Sequence, residues 1–142
     1  MYSVGFVFIK FMAYNLFLDD ERKPLDVTWV KLPLVEWTVV RNYNEFVKVI
    51  TENGLPEFIS FDHDLALEHY AHGQSLLWKD FDYSKVKEPT GLACAVWLVD
   101  YCIEKNLPIP KFEVHSMNPI GTHFIRRYLQ YFNRYKEKPQ DA

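Results

Sequence analysis

The chain has 142 residues, 49% of them hydrophobic and 25% charged, which suits one ordinary globular domain rather than two. A domain of this length buries roughly 68–70% of the surface its unfolded chain exposes, so it folds without a metal or disulfide staple. The formal charge of −3 excludes the basic field of a duplex-DNA-binding protein, while leaving a small nucleotide or an RNA end open as ligand.

Residues 1–18 are apolar enough to resemble a leader. Lys10 splits the run, no small-residue cleavage site follows, and Asp19-Asp20-Glu21 ends it abruptly. The stretch is also too short and interrupted to span a bilayer. The expectation is a cytoplasmic protein without a membrane partner. Met12 competes with Met1 as the start, because a first strand begins at Tyr14. Residues 1–13 are therefore set apart as an extension of no clear role, and 14–138 as the domain.

Tyr14-Asn-Leu-Phe-Leu18 reads as a buried parallel strand ending in charge. Trp37–Tyr43 is β-branched and aromatic, a second strand. Asn44 is placed as the cap of a helix with Phe46, Val47 and Ile50 on one face, stopped by Gly54-Leu55-Pro56. Phe58-Ile-Ser-Phe61 is a third strand, ending in Asp62-His63-Asp64. Residues 66–89 form a long irregular insertion containing Glu68, His69 and His72, expected as a surface loop, since no second ligand pair stands at zinc spacing. Thr90 caps a helix from Leu92 to Asn106, apolar almost all round and hence buried on several sides. Its Cys94 and Cys102 are eight residues apart, about 12 Å along a helix, too far for a disulfide; both are expected as buried thiols. Phe112–His115 is a fourth strand. A final helix begins near Thr122 with a buried stripe of Phe124, Ile125, Tyr128, Leu129 and Phe132. Strands alternating with helices predict an α/β fold with a mainly parallel sheet.

Three of these strands run apolar and then end in reactive side chains: Asp19-Asp20, Asp62-His63-Asp64 and His115-Ser116. A parallel sheet puts all strand C-termini on one edge, where ligands bind. Clustered carboxylates repel unless a cation neutralises them. Asp19, Asp20 and Asp62, with Asp64 as a fourth member, are accordingly the candidate ligands of Mg²⁺ or Mn²⁺. His115 and Ser116, with Asp62, are the candidate catalytic groups. Asn118-Pro-Ile-Gly121 and Thr90-Gly91 open helices and could seat a phosphate, with Arg22 beside the acid pair as an anion contact. The His-Asp pair within 62–64 follows a strand, which sets aside the helical metal phosphohydrolases.

Leu16–Arg22 resembles the first strand and acid pair of a response-regulator receiver, and Phe58–Asp62 its third strand with the phosphorylated aspartate. Receivers also end a fifth strand in lysine; no such strand end exists here, so an aspartyl-phosphate switch is not expected. Leu-Asp-Asp-Glu-Arg-Lys-Pro (18–24), Phe-Asp-His-Asp-Leu (61–65), Thr-Gly (90–91) and Val-His-Ser-Met-Asn-Pro-Ile-Gly (114–121) together resemble the cyclic-phosphate-processing receiver-like domains of bacteria and phages. That resemblance covers residues 14–135. It implies a receiver-like (flavodoxin-like) three-layer fold with a sheet of four to five strands in the order 2-1-3-4. It also implies phosphoester chemistry on nucleotides or RNA ends bearing a cyclic phosphate. The alternative is a non-catalytic module of the same fold that binds a nucleotide signal or a protein partner.

Overall fold

The computed structural model describes residues 13–65 and 89–137, with side chains up to residue 133. The extension up to residue 12 and the insertion from 66 to 88, with Glu68, His69 and His72, lie outside the described residues. The described residues contain four strands: β1 Asn15–Leu18, β2 Thr38–Val40, β3 Phe58–Phe61 and β4 Lys111–Val114. Every pairing is parallel, and the order is β2-β1-β3-β4. Among the described residues three helices accompany them: α1 Tyr43–Asn53, α2 Gly91–Lys105 and α3 Pro119–Glu137. This is the receiver-like sheet order.

Side chains alternate along a strand, so each strand divides its residues between two environments. Leu16 and Leu18, Ile59 and Phe61, Val40 and Val114 face one way. They join Phe46 and Ile50 of α1, Leu98 and Cys102 of α2, and Ile125 and Leu129 of α3 in one apolar cluster. The residues between them, Phe17 and Ser60, are wholly buried on the opposite face. Among the described residues that face is covered by the β1–β2 link, which contains only a three-residue 3-10 turn, Pro24–Asp26. Trp37 from this link packs edge-on against Phe17 and Phe58, with ring centroids 5.9 and 5.8 Å away.

Several boundaries differ from expectation for identifiable reasons. Asn42, not Asn44, caps α1: its side chain accepts from the Glu45 amide at 2.9 Å, and the Glu45 carboxylate accepts from the Arg41 amide at 2.8 Å. The Asn42 side chain thereby satisfies one orphan amide of the helix, while Glu45 holds the amide of the residue before the cap. Helix α3 starts at Pro119, where a missing N–H costs nothing, with Asn118 accepting from Gly121 and Thr122. Tyr128, expected in the buried stripe of α3, is 36% exposed; Ile125, Leu129 and Phe132 carry the contact. Helix α2 is not buried on several sides, because Val96 and Ile103 face outward. Its end is set by Asn106 in the left-handed region, φ 56°. Cys94 and Cys102 are both buried, as expected. No described helix is long and apolar enough to cross a membrane.

Leu98 is fully buried in the cluster shared by all three helices. Leu98→Ala is expected to cost about 2–5 kcal/mol of unfolding free energy. Asn42→Ala should cost about 1 kcal/mol. Denaturant melts of the two variants check this ranking.

Candidate metal centre at the carboxyl edge of the sheet

The strand register decides which side chains meet. Phe17 pairs with Ser60, and Ser60 with Glu113, forming one row across β1, β3 and β4. With a period of two, the next residues in that row are Asp19, Asp62 and His115, each just past the end of its strand. The ladder continues far enough to hold them. The Asp19 amide donates to Val40, Asp62 to Leu18 and His115 to Phe61, at 3.1, 2.9 and 2.9 Å. One ligand atom from each of the three side chains lies within 4.8 Å of the others, and none of the residues is more than 1% exposed.

The imidazole of His115 is held by three contacts and its backbone by a fourth. Its Nε2 lies 2.9 Å from Asp19 Oδ2, and its Nδ1 lies 2.6 Å from the Ser60 hydroxyl. The ring stacks flat on Phe17, with centroids 4.4 Å apart and planes within 4°. The Trp29 indole N–H donates to the His115 carbonyl at 2.7 Å. Asp19 is equally well supplied. Its Oδ1 accepts from the amides of Glu21 and Arg22 at 2.9 and 2.8 Å, and the Arg22 guanidinium stands 3.4 Å from Oδ2. Arg41 fastens the same turn by donating to the carbonyls of Asp19 and Arg22.

Asp62 is the exception. Oδ1 accepts from the His63 amide at 2.8 Å, but Oδ2 is buried without a hydrogen-bond partner. An unpaired buried carboxylate oxygen is costly, and its residue is one of the three grouped here. Burial, and then the charge of Asp19, push the Asp62 carboxyl up to about 8. Burial and the neighbouring Asp19 and Glu21 raise Asp20 to about 6. Burial also acts upward on Asp19, but the hydrogen bonds from His115, Arg22 and Glu21 outweigh it and leave that carboxyl below its ordinary value. Burial pushes His115 below its ordinary value against the pull of Asp19, so the ring is neutral near pH 7. Two carboxylates and a neutral imidazole, with one oxygen unsatisfied, are a donor set that fits a divalent cation.

The remaining candidates take other positions. Asp20 lies outside this trio, although its Oδ1 is likewise buried and unpartnered. Asp64 is also outside it: its Oδ1 holds His63 Nδ1 at 2.8 Å, and Asn118 Nδ2 reaches both at 3.2 and 3.4 Å. Ser116 Oγ accepts from the Asn118 amide. Thr90 caps α2 through its carbonyl. The amides of Gly91 and Gly121 are taken by the His63 carbonyl and Asn118 Oδ1. What the two glycines supply is space. A Cβ on Gly91 would lie 1.8 Å from the Asp62 carbonyl oxygen, and one on Gly121 would lie 2.3 Å from His63 Cγ.

Sequence reasoning does not single out Phe17, Trp29, Arg41, Ser60 or His63. For Ser60 a signal exists: a hydroxyl amid Phe-Ile-Ser-Phe needs a buried partner. His63 is masked by the acids that flank it. Phe17, Trp29 and Arg41 look like ordinary strand and loop residues.

Two outcomes follow for the metal-free protein. The folded-state pKa of Asp62 is raised above its ordinary value, so folding favours the protonated acid, and its contribution is lost as pH rises towards about 8. Above about pH 6.5 the depressed His115 and Asp19 no longer oppose this, since each keeps the same charge folded and unfolded. The melting temperature should therefore fall between about pH 6.5 and 8.5, and Asp62→Asn should flatten the fall. Gly91→Ala should destabilise by at least about 1–3 kcal/mol through the clash with the Asp62 backbone, read from the same melts.

No curated protein and no solved structure matches this chain. The family model described as the cyclic-phosphate processing receiver domain matches residues 14–131, a span that takes in all four strands and the Asp19–Asp62–His115 trio. On that match and on its β2-β1-β3-β4 sheet, the chain belongs to the cyclic-phosphate processing receiver domain family.

Proposed function

We propose that the protein is a divalent-metal-dependent phosphoesterase acting on a nucleotide or RNA end that bears a cyclic phosphate. The observation that carries this reading is the buried, unpartnered Asp62 Oδ2 beside Asp19 and His115. Membership of a family described by cyclic-phosphate processing supports the substrate class.

Asp19, Asp62 and His115 would hold the ion. An imidazole among the donors favours Mn²⁺ over Mg²⁺, which prefers an all-oxygen shell. The chemistry such an ion supplies is Lewis-acid polarisation of a phosphoryl group. The protein's own groups do the rest. Arg22, a fifth exposed and next to Asp19, offers a fixed positive charge to a phosphate oxygen. Ser116 keeps a hydroxyl proton to donate while its oxygen accepts from Asn118. Gly91, Asn118 and Gly121 would build the wall, because their polar groups are engaged within the chain, and Thr90 joins them with its carbonyl bonded to the Cys94 amide.

The strand-end position of His115 suggests a proton carrier. Its burial, and contacts at both ring nitrogens, favour a ligand's role instead. Asp20, with its carboxyl raised to about 6, is the better group for moving a proton near neutral pH.

Asp62→Asn and His115→Ala should each lower turnover of 2′,3′-cyclic phosphates more than about 100-fold and abolish Mn²⁺ binding, with the fold retained. Calorimetric Mn²⁺ titration beside a panel of cyclic nucleotides and cyclic-ended RNA checks this. Unchanged rates in both variants would remove the proposal. Nucleotide binding with neither metal nor turnover would mark a binding module.

A further inference from the structure

Ser60 is a hydroxyl in the middle of a central strand, paired on both sides and wholly buried. An alanine would fill the position without the cost of about 1–3 kcal/mol that an unpartnered hydroxyl incurs. Its partner is His115 Nδ1 at 2.6 Å, and the other ring nitrogen faces Asp19 Oδ2 at 2.9 Å. Asp19, His115 and Ser60 thus form an Asp-His-Ser row, but with the two ring nitrogens exchanged relative to a hydrolytic triad. A nucleophile must reach substrate, however, and Ser60 has no exposed surface, whereas Asp19 and Asp62 stand at the strand ends. Influence therefore runs the other way, from Ser60 through the ring to Nε2.

We infer that Ser60 is a positioning residue that lets His115 change from hydrogen-bond donor to metal ligand at Nε2 without moving its ring. The inference deepens the metal-dependent reading above and rests on it. Without metal, the neutral ring carries its proton on Nε2, which donates to the Asp19 carboxylate, and Nδ1 accepts from the Ser60 O–H. Ligation needs the Nε2 lone pair. The ring then gives that proton to water and takes one from water at Nδ1, so its charge is unchanged and Nδ1–H donates to Ser60 Oγ. A serine hydroxyl both donates and accepts, so it serves either tautomer in place. Phe17 stacked on one face holds the ring still meanwhile, and Trp29 fixes the backbone that carries it. A carboxylate at position 60 would favour only the second form, and alanine would support neither.

The test combines nitrogen-15 spectra of labelled histidine with calorimetric Zn²⁺ and Mn²⁺ titrations of the whole chain. The wild-type spectrum should place the proton on Nε2 without metal and on Nδ1 with diamagnetic Zn²⁺. Ser60→Ala should bind Zn²⁺ and Mn²⁺ about 10–100-fold more weakly, while Ser60→Thr, which keeps the hydroxyl, recovers most of the affinity. Circular dichroism of each metal-free variant establishes that it folds. Should Ser60→Ala fail to fold, the wild-type tautomer exchange and the affinity of Ser60→Thr decide. Equal affinity in Ser60→Ala, or a Zn²⁺-loaded ring still protonated on Nε2, overturns the inference and leaves the metal site standing. A wild-type protein that binds neither ion overturns both.

Discussion

The 2.9 Å contact between Asp19 Oδ2 and His115 Nε2 ties the end of β1 to the end of β4 across the intervening β3. Everything else at the edge is arranged around it. Amides of the following turn, the Arg22 guanidinium and Arg41 hold Asp19 as an anion with nearly every lone pair used. Ser60, Phe17 and Trp29 hold the imidazole. Asp62, lying between the two, receives only one amide and keeps an oxygen without a partner. The local energetics are lopsided: two groups are over-determined and the third is left needing a cation or a proton. An unpaired buried carboxyl is expensive, and its place at the mouth of a sheet supports the metal-binding reading proposed above.

A second polar layer supports the first. His63, Asp64, Ser116 and Asn118 form a buried hydrogen-bonded group behind Asp62, into which Gly91 and Gly121 fit because they lack side chains. Networks of this kind stiffen a site when every member is satisfied. The glycines of the Thr-Gly and Pro-Ile-Gly motifs consequently have a structural role: their amides are bonded within the chain, and their missing Cβ atoms let α2 and α3 approach the turn after β3. The apolar cluster on the opposite face of the sheet supplies the stability against which these polar burials are set.

Much of the fold is legible in the order of the amino acids. Each of the four strands overlaps the run assigned to it, most clearly the central β1 and β3, since a parallel strand covered on both faces reads as near-continuous apolar residues. Helix stops at Gly54 and Asn106 follow from residues that tolerate positive φ. Differences arise where two local signals compete, as with Asn42 and Asn44, or where an apolar residue such as Tyr128, Val96 or Ile103 stays outside. A side chain's hydropathy does not say which helices will arrive to cover it.

The sequence by itself determined that acids and a histidine end the strands, and therefore that they share one edge, because parallel strands all finish on the same side. It could not choose among Asp19, Asp20, Asp62 and Asp64. That choice was made by the register of β1, β3 and β4, which sends residues 19, 62 and 115 to one face of the pleat and Asp20 to the other, while Asp64, of the same parity as Asp62, falls outside the group because the strand ends at Phe61. Register is a property of pairing between distant segments. The partners of each strand, and the parity they impose, exist only once the chain has folded.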